Sequence, residues 1–395
     1  MCLSTRIKAQ DNTDHMKCGL DIESKQNQDI KLQIIGDLEG ISGFWKDWDD
    51  LFARAVDAPP FLSRPWISTY IEEGKIKGTP LFILTWCGTK LVGLFPLEVR
   101  KCLTVKIAAP IGTGLPSCLG LLVDPDYRSV TKDIADIITS KRIFDVYYSW
   151  DLSSEDLATN DLLDELVTKG YVRYLVYRNT CCHGQLGGSF DEYFRNNASS
   201  KSRQNLYRRE RRLFKNGNVK VEHYVGEQVT PEVLLRIAAI ESQSWLKIRG
   251  AAMLQKPFYQ KLLMVMAQAS IGHIWLMTID DIDVAFEYVF VSHKKLLFGW
   301  RAFQLKYFSS ESIGQILMMH AIRDACSSGI LSMDIGHGVA FYKRFWAKDS
   351  YRIDRVVAGY GFRGCLIATA AWRLLESKLF ISSYRRIKRI FRGLK

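Results

Sequence analysis

Apolar and polar positions fall into two matching blocks along this chain. Residues 81–99 read LFILTWCGTKLVGLFPLEV and residues 274–292 read IWLMTIDDIDVAFEYVFVS. Each is a short apolar strand, a polar turn (Cys87-Gly88-Thr89, then Asp280-Asp281-Ile282) and a second apolar strand, the pattern of a hairpin. The offset is 193 residues and sets Glu287 against Leu94. Upstream, Arg64-Pro65-Trp66 opens a helical stretch ending near Glu73, and Lys256-Pro257-Phe258 opens another ending near Gln268. Proline in a first helical turn costs no hydrogen bond. Downstream, the amphipathic residues 131–140 precede a strand at Phe144-Asp145-Val146-Tyr147. In the second block residues 314–327 precede Leu331-Ser332-Met333-Asp334-Ile335. Each half is thus expected to run helix, helix, strand, strand, strand, helix, strand. The fold class is α+β, two tandem domains, each a mixed β-sheet flanked by helices.

The segments outside the repeat complete the map. Residues 1–29 are polar with little periodicity and read as a flexible N-terminal arm. Residues 30–187 form domain 1 and residues 188–364 form domain 2, whose first part, 189–216, reads as one long helical segment. Residues 365–395 are a C-terminal helix with a basic amphipathic tail, YRRIKRIFRGLK. The 395 residues carry 54 basic and 42 acidic side chains, a net charge of +12, and the apolar share of 47% supports two cores. That balance excludes wholesale disorder and coiled coils. The longest stretch without an acidic or basic residue, 262–279, contains Gly272-His273 and reads as helix, turn and strand, not as a membrane span. No apolar run of signal-peptide length opens the chain, so the expected location is cytoplasmic. The nine cysteines are scattered apart from Cys181-Cys182, without zinc spacing, and no metal is expected.

Chemistry is expected at the C-terminal ends of the second half's strands. Ser310 and Ser312 lie where they can cap the helix that follows, and the helix start would welcome a phosphate. Asp334 sits inside an apolar strand, where a carboxylate must be paired or face a cleft. Gly336 and Gly338 bracket His337 in a tight turn, and Tyr342, Lys343 and Trp346 follow on a helical turn. An Asp334–Lys343 ion pair tying strand to helix is one reading, and a reactive site is the other. Glu287 stands among Phe286, Tyr288, Val289 and Phe290 and suits a general base. Glu241 and Trp245, four apart, would share a helical face, with Trp245 walling a substrate groove. Between Lys201 and Lys220 eight cations stand against Glu210 alone, a stripe able to follow phosphates or an anionic leaflet. The tail from Tyr384 to Lys395 could lie on an anionic membrane surface.

The segments FDEYFRNNASSKSRQNLYRRERRL, SQSWLKIRG, SIGQILMMHAIRDACSSG and SMDIGHGVAFYKRFWA carry a resemblance. The chain resembles GNAT superfamily acyltransferases, in particular the CelD-like acetyltransferase group of polysaccharide clusters, related to the FemABX tandem enzymes. The resemblance implies two GNAT-like domains and an acyl-CoA co-substrate, acetyl-CoA first, lying over the splayed strands of the second. It implies donor contacts at Ser310, Ser312, Ile313, Gly314 and Gln315. Glu287 or Asp334 would accept the proton or orient the acceptor, with Lys343 as charge partner and Trp245, Tyr342 and His337 around the substrate. Two departures stand out. Isoleucine occupies the middle of Ser312-Ile313-Gly314, where the family places proline, and the glycine-rich pyrophosphate loop is missing. A carrier protein or tRNA as donor therefore stays open.

The expected activity is N- or O-acyl transfer to an amine or hydroxyl of a small or lipid-linked saccharide or exopolysaccharide precursor, at the inner membrane face. The reading from another class is an inactive tandem adaptor that binds anionic membrane or nucleic acid through its basic helices.

Overall fold

The computed structural model describes residues 29–114, 118–307 and 312–376. Ser310, most of the N-terminal arm and the tail from Tyr384 to Lys395 lie outside the described residues. In the first half the elements are β1 (Ile30–Ile35), α1 (Leu38–Ser42), α2 (Trp45–Arg54), α3 (Arg64–Glu72), β2 (Thr79–Cys87), β3 (Lys90–Cys102) and β4 (Val105–Pro110). They continue with the short β5 (Leu122–Val123), α4 (Val130–Ser140), β6 (Val146–Ser153), α5 (Leu157–Thr168) and β7 (Val172–Gln185). The second half begins with α6 (Phe190–Asn197), α7 (Ser200–Asn216), β8 (Val219–Val225), α8 (Pro231–Ser242), α9 (Trp245–Ile248), α10 (Pro257–Gln268), β9 (Gly272–Ile279) and β10 (Ile282–Ser292). It closes with β11 (Lys295–Phe303), α11 (Ile313–Ser327), β12 (Ser332–His337), α12 (Phe341–Trp346), β13 (Asp349–Gly359) and α13 (Gly361–Glu376).

Local chemistry sets several of these bounds. The Thr230 hydroxyl caps α8 ahead of Pro231. The single helix expected over 189–216 is two, because Ala198 turns extended and the Ser199 hydroxyl accepts the Ser202 N–H at 3.2 Å, starting a new helix. Each half also gains a leading strand, β1 or β8, whose alternation of polar and apolar residues was too short to stand out.

Both halves share one 13-stranded sheet, in which the path is β1-β2-β3-β4-β6-β13-β7-β12-β11-β10-β9-β8, with β5 beside β3. The final strands have changed places. β13, from the second half, pairs antiparallel with β6, while β7, from the first, pairs with β12. β7 and β13 also pair with each other, from Val172↔Gly359 to His183↔Asp349, and this seam is the pseudo-twofold centre of the molecule. Neither half closes its sheet without a strand from the other, so their stability is shared.

The hairpin registers correct the repeat offset. Ile83 faces Phe95 in β2–β3, and Trp275 faces Glu287 in β9–β10, so the offset is 192 and the counterpart of Glu287 is Phe95, not Leu94. Each hairpin carries an extra residue, Val92 or Val284, and a slip of one residue turns every side chain to the opposite face. Leu94 in fact joins the core between the halves, where Phe61 and Trp66 stand 5.2 and 5.8 Å from the Phe290 ring. Separate cores lie under α4 and α5 in the first half and under α6, α7 and α11 in the second. No described helix is long and apolar enough to cross a membrane.

Candidate active site

β11 pairs in parallel with β12 only from Lys295↔Ser332 to Leu297↔Asp334. β12 pairs with β7 from Ser332↔Gln185 to His337↔Cys181, so beyond Asp334 it stays with β7 and parts from β11. The register of β10 and β11 shifts between Tyr288 and Val289, leaving Gly299 as the extra residue. A Cβ on Gly299 would come within 2.8 Å of the Phe290 ring, so this bulge requires glycine. The splayed strands open a cavity of about 630 Å³, whose lining includes Trp245, Glu287, Arg301, Tyr342 and the first turn of α11.

Glu287 is the carboxylate in the lining of this cavity. Strand alternation turns it toward α11, and its side chain is only 2% exposed. Arg301, directly opposite on β11, holds Nε 3.2 Å from its Oε2. Burial pushes the carboxyl up to about 7, outweighing the nearby charges of Arg301 and Lys343. The Arg301 guanidinium also lies 5.1 Å from the Tyr342 ring centroid, fixing that aromatic wall.

The start of α11 supplies the second element. Ser312 takes a left-handed conformation, φ 54°, and makes no side-chain cap; its hydroxyl instead accepts a hydrogen bond from the Arg209 guanidinium of α7. The capping role expected of Ser312 is therefore replaced by a bridge between a basic helix and an N-terminus. A Cβ on Gly314 would meet the Phe303 ring at 3.2 Å, so helix and strand approach closely here. Gln315 accepts the Trp346 indole N–H at 2.7 Å, joining α11 to α12.

Asp334 and Lys343 are buried but do not pair with each other. The Lys343 ammonium donates to the carbonyls of Ile335, Gly336 and His337 at 2.7, 3.0 and 2.6 Å, closing off the end of β12. Burial pushes it down to about 8. Asp334 accepts the Gly336 N–H at 2.8 Å and the Tyr351 hydroxyl at 2.6 Å, with Lys295 at 3.7 Å. Together they fix the bend after β12. His337, at that bend, is pushed down to about 4 by burial and by Arg178 and Lys343, so it is neutral near pH 7.

Trp245 starts α9 behind the Ser244 cap, with Arg249 5.0 Å from its ring, while Glu241 belongs to α8. The two do not share a face, because the chain breaks at Gln243. Glu241 instead accepts the N–H groups of Met253 and Leu254 at 2.9 and 2.7 Å. The sequence reading missed Arg301, and it placed Arg209 in the basic stripe without its link to Ser312. Counting the hairpin register would have found Arg301 across from Glu287; Arg209 reaches α11 only through tertiary packing. Among the described residues no cluster of three or more histidine, cysteine or carboxylate side chains could hold a metal.

Comparisons with known proteins agree with this geometry. A family model described as an acetyltransferase (GNAT) domain matches residues 200–344. No curated protein matches the sequence. Among solved structures, FemX is similar at a TM-score of 0.55 with 10% identity, over 81% of this chain and 96% of that one. The C-terminal domain of a putative lysylphosphatidylglycerol synthetase from Agrobacterium fabrum is similar at 0.51 with 12% identity, over 84% and 95%. A tandem GNAT protein from the clavulanic acid biosynthesis pathway aligns at 0.42 with 10% identity, over 82% and 98%. Residues 200–344 thus match a GNAT acetyltransferase domain model, and the chain as a whole shares its fold with FemX.

Proposed function

We propose that the protein moves an acyl group from a thioester donor, acetyl-CoA or another acyl-CoA, to an amine or hydroxyl of a sugar or cell-envelope precursor. The observation that carries this reading is Glu287, a buried carboxyl pushed up to about 7 inside a cavity that ends at a helix N-terminus. A base poised near neutral pH takes a proton from an attacking amine or hydroxyl most effectively. In the reaction the acceptor's nitrogen or oxygen bonds to the thioester carbonyl carbon, its proton passes to Glu287, and the C–S bond breaks to release a thiolate, which becomes the thiol as Glu287 returns that proton through solvent. The donor's phosphates would rest against Ser312, Ile313, Gly314 and Gln315, with Arg209 alongside as counter-charge. Trp245 and Tyr342 would hold the reacting groups between them, and His337 would border the acceptor. Asp334 and Lys343 would serve by keeping the end of β12 in place, a positioning role.

Thermal unfolding against acetyl-CoA, longer acyl-CoAs and free CoA, joined to an assay of thiol release, tests this. A ligand at a hundred times its dissociation constant raises stability by about 2.7 kcal/mol. The expected result is a raised midpoint for wild type and for Glu287→Gln, with thiol release lost in the variant alone. A midpoint unmoved by every thioester, with no thiol released, would overturn the acyl-CoA assignment and direct attention to carrier-protein or tRNA donors along α7.

A further inference from the structure

The seam between the halves holds a cluster that the cavity around Glu287 does not use. Three neighbouring strands lose register there at one level. Between Asp354 and Val356, β13 sets Arg355 alone against Trp150 and Asp151 of β6. Between Ile353 and Asp354 it leaves Arg178 of β7 as an extra residue. Bulges re-aim side chains and recur beside functional sites. Here they gather the Arg355 guanidinium 4.5 Å and the Arg178 guanidinium 5.7 Å from the Trp150 ring centroid.

The charges in this cluster do not balance. Arg178 pairs with the buried Asp151 and donates to the Trp150 carbonyl at 3.1 Å. Arg355 has no carboxylate partner among the described residues, and its Nε is shielded from water without a hydrogen bond. The adjacent Asp354 is taken by Arg352 at 2.6 Å. Burial lowers the proton affinity of both arginines, and for Arg178 the charge of Arg355 adds to it. Two half-buried guanidinium groups against one carboxylate are unfavourable until a second anion arrives. Trp150, Arg178 and Arg355 all keep part of their surface open to solvent, so an anion from outside can reach them.

We propose that Arg355, Arg178 and Trp150 form a binding site for an oxyanion of the acceptor, a phosphate or carboxylate, with the indole as a flat wall for the ring that carries it. The word acceptor rests on the acyl-transfer reading; the anion site does not. The seam meets the end of β12 through Asp151, which lies 3.8 Å from His337 Nε2. The His337 carbonyl is held in turn by Lys343, whose charge acts on Glu287. An acceptor anchored at the seam would reach Glu287 along the end of β12.

Titration calorimetry of the full chain with inorganic pyrophosphate and with succinate, no thioester present, tests the site. At least one probe binds wild type, and which one names the anion. Because the start of α11 is itself read as a phosphate site, the affinity is read in Ser312→Glu, which repels anions from it; the probe still binds this variant, and adding Arg355→Met weakens that binding at least ten-fold. Without anion, Arg355→Met keeps or raises the midpoint of thermal unfolding, because it removes an unpaired, half-buried charge; a purely structural stack on Trp150 would lower it. No binding of either probe to Ser312→Glu, affinity unchanged when Arg355→Met is added to it, or a lowered midpoint in Arg355→Met each overturns the proposal. Thiol release from acyl-CoA by wild type is read separately, so the anion site and the acyl-transfer reading can fail independently.

Discussion

Phe95 and Glu287 occupy the same place in two copies of one hairpin, and they have opposite fates. Phe95 is 1% exposed, its ring 5.9 Å from that of Tyr147, in a core closed by Val130, Ile134 and Ile138 of α4. Glu287 is equally buried but faces Arg301 and an open cavity beneath α11. A phenyl ring there contributes packing, whereas a carboxylate there costs stability and supplies a titrating group. Because the exchanged strands make one sheet of both copies, the apolar first half can support the strained second. On the proposed reading, one copy is scaffold and the other carries the chemistry.

The largest effect is expected from Glu287→Gln, which keeps the fold but should lower turnover about 10²–10⁴-fold, the usual worth of a general base. Single-turnover rates at saturating donor measure it, and an unchanged rate would remove Glu287 from the mechanism. On the other side of the comparison, Phe95→Ala should cost about 3–5 kcal/mol in denaturant unfolding while leaving the rate of the folded enzyme intact. A loss below 1 kcal/mol would mean that the first copy is not the scaffold.

Glu287 also ties stability to pH. Its folded carboxyl keeps the proton up to about pH 7, whereas the unfolded chain releases it near 4.5. The stability this group contributes is therefore full below pH 4.5 and falls away as pH rises through 7, by about 3 kcal/mol. Glu287→Gln should lack that fall and be the more stable protein at pH 8. A smaller change, about 1–3 kcal/mol, is expected for Lys343→Met, which strips three carbonyls of their donor. Its kcat should drop and the acid limb of the pH profile should move upward, because the Lys343 charge no longer favours the ionised form of Glu287. Finally, tryptophan fluorescence and far-ultraviolet dichroism should report one coincident unfolding transition, since β7 and β13 bind each half to the other. Two separated transitions would show that the halves are independent after all.

Much of this was legible along the chain. Apolar strands around polar turns marked both hairpins, and prolines marked the starts of α3 and α10, because strand alternation and helix capping are written within a few residues. Glu287 stood out because a carboxylate in an apolar strand needs a reason to be there. The exact repeat offset was hidden because the two hairpins share few letters; only their strand registers, bulges included, align them residue by residue.

The sequence by itself determined the duplication, the α+β class and the presence of ionisable groups at Glu287, Asp334 and Lys343 within apolar surroundings. Only the tertiary structure decided what each of them does. Lys343 turned to three carbonyls, Asp334 to Tyr351, and Arg301 to Glu287, because those partners lie on other elements and meet only when the strands assemble. The exchange of β7 and β13 was equally out of reach: a strand's own pattern states that it will pair, and its partner is chosen by the whole sheet.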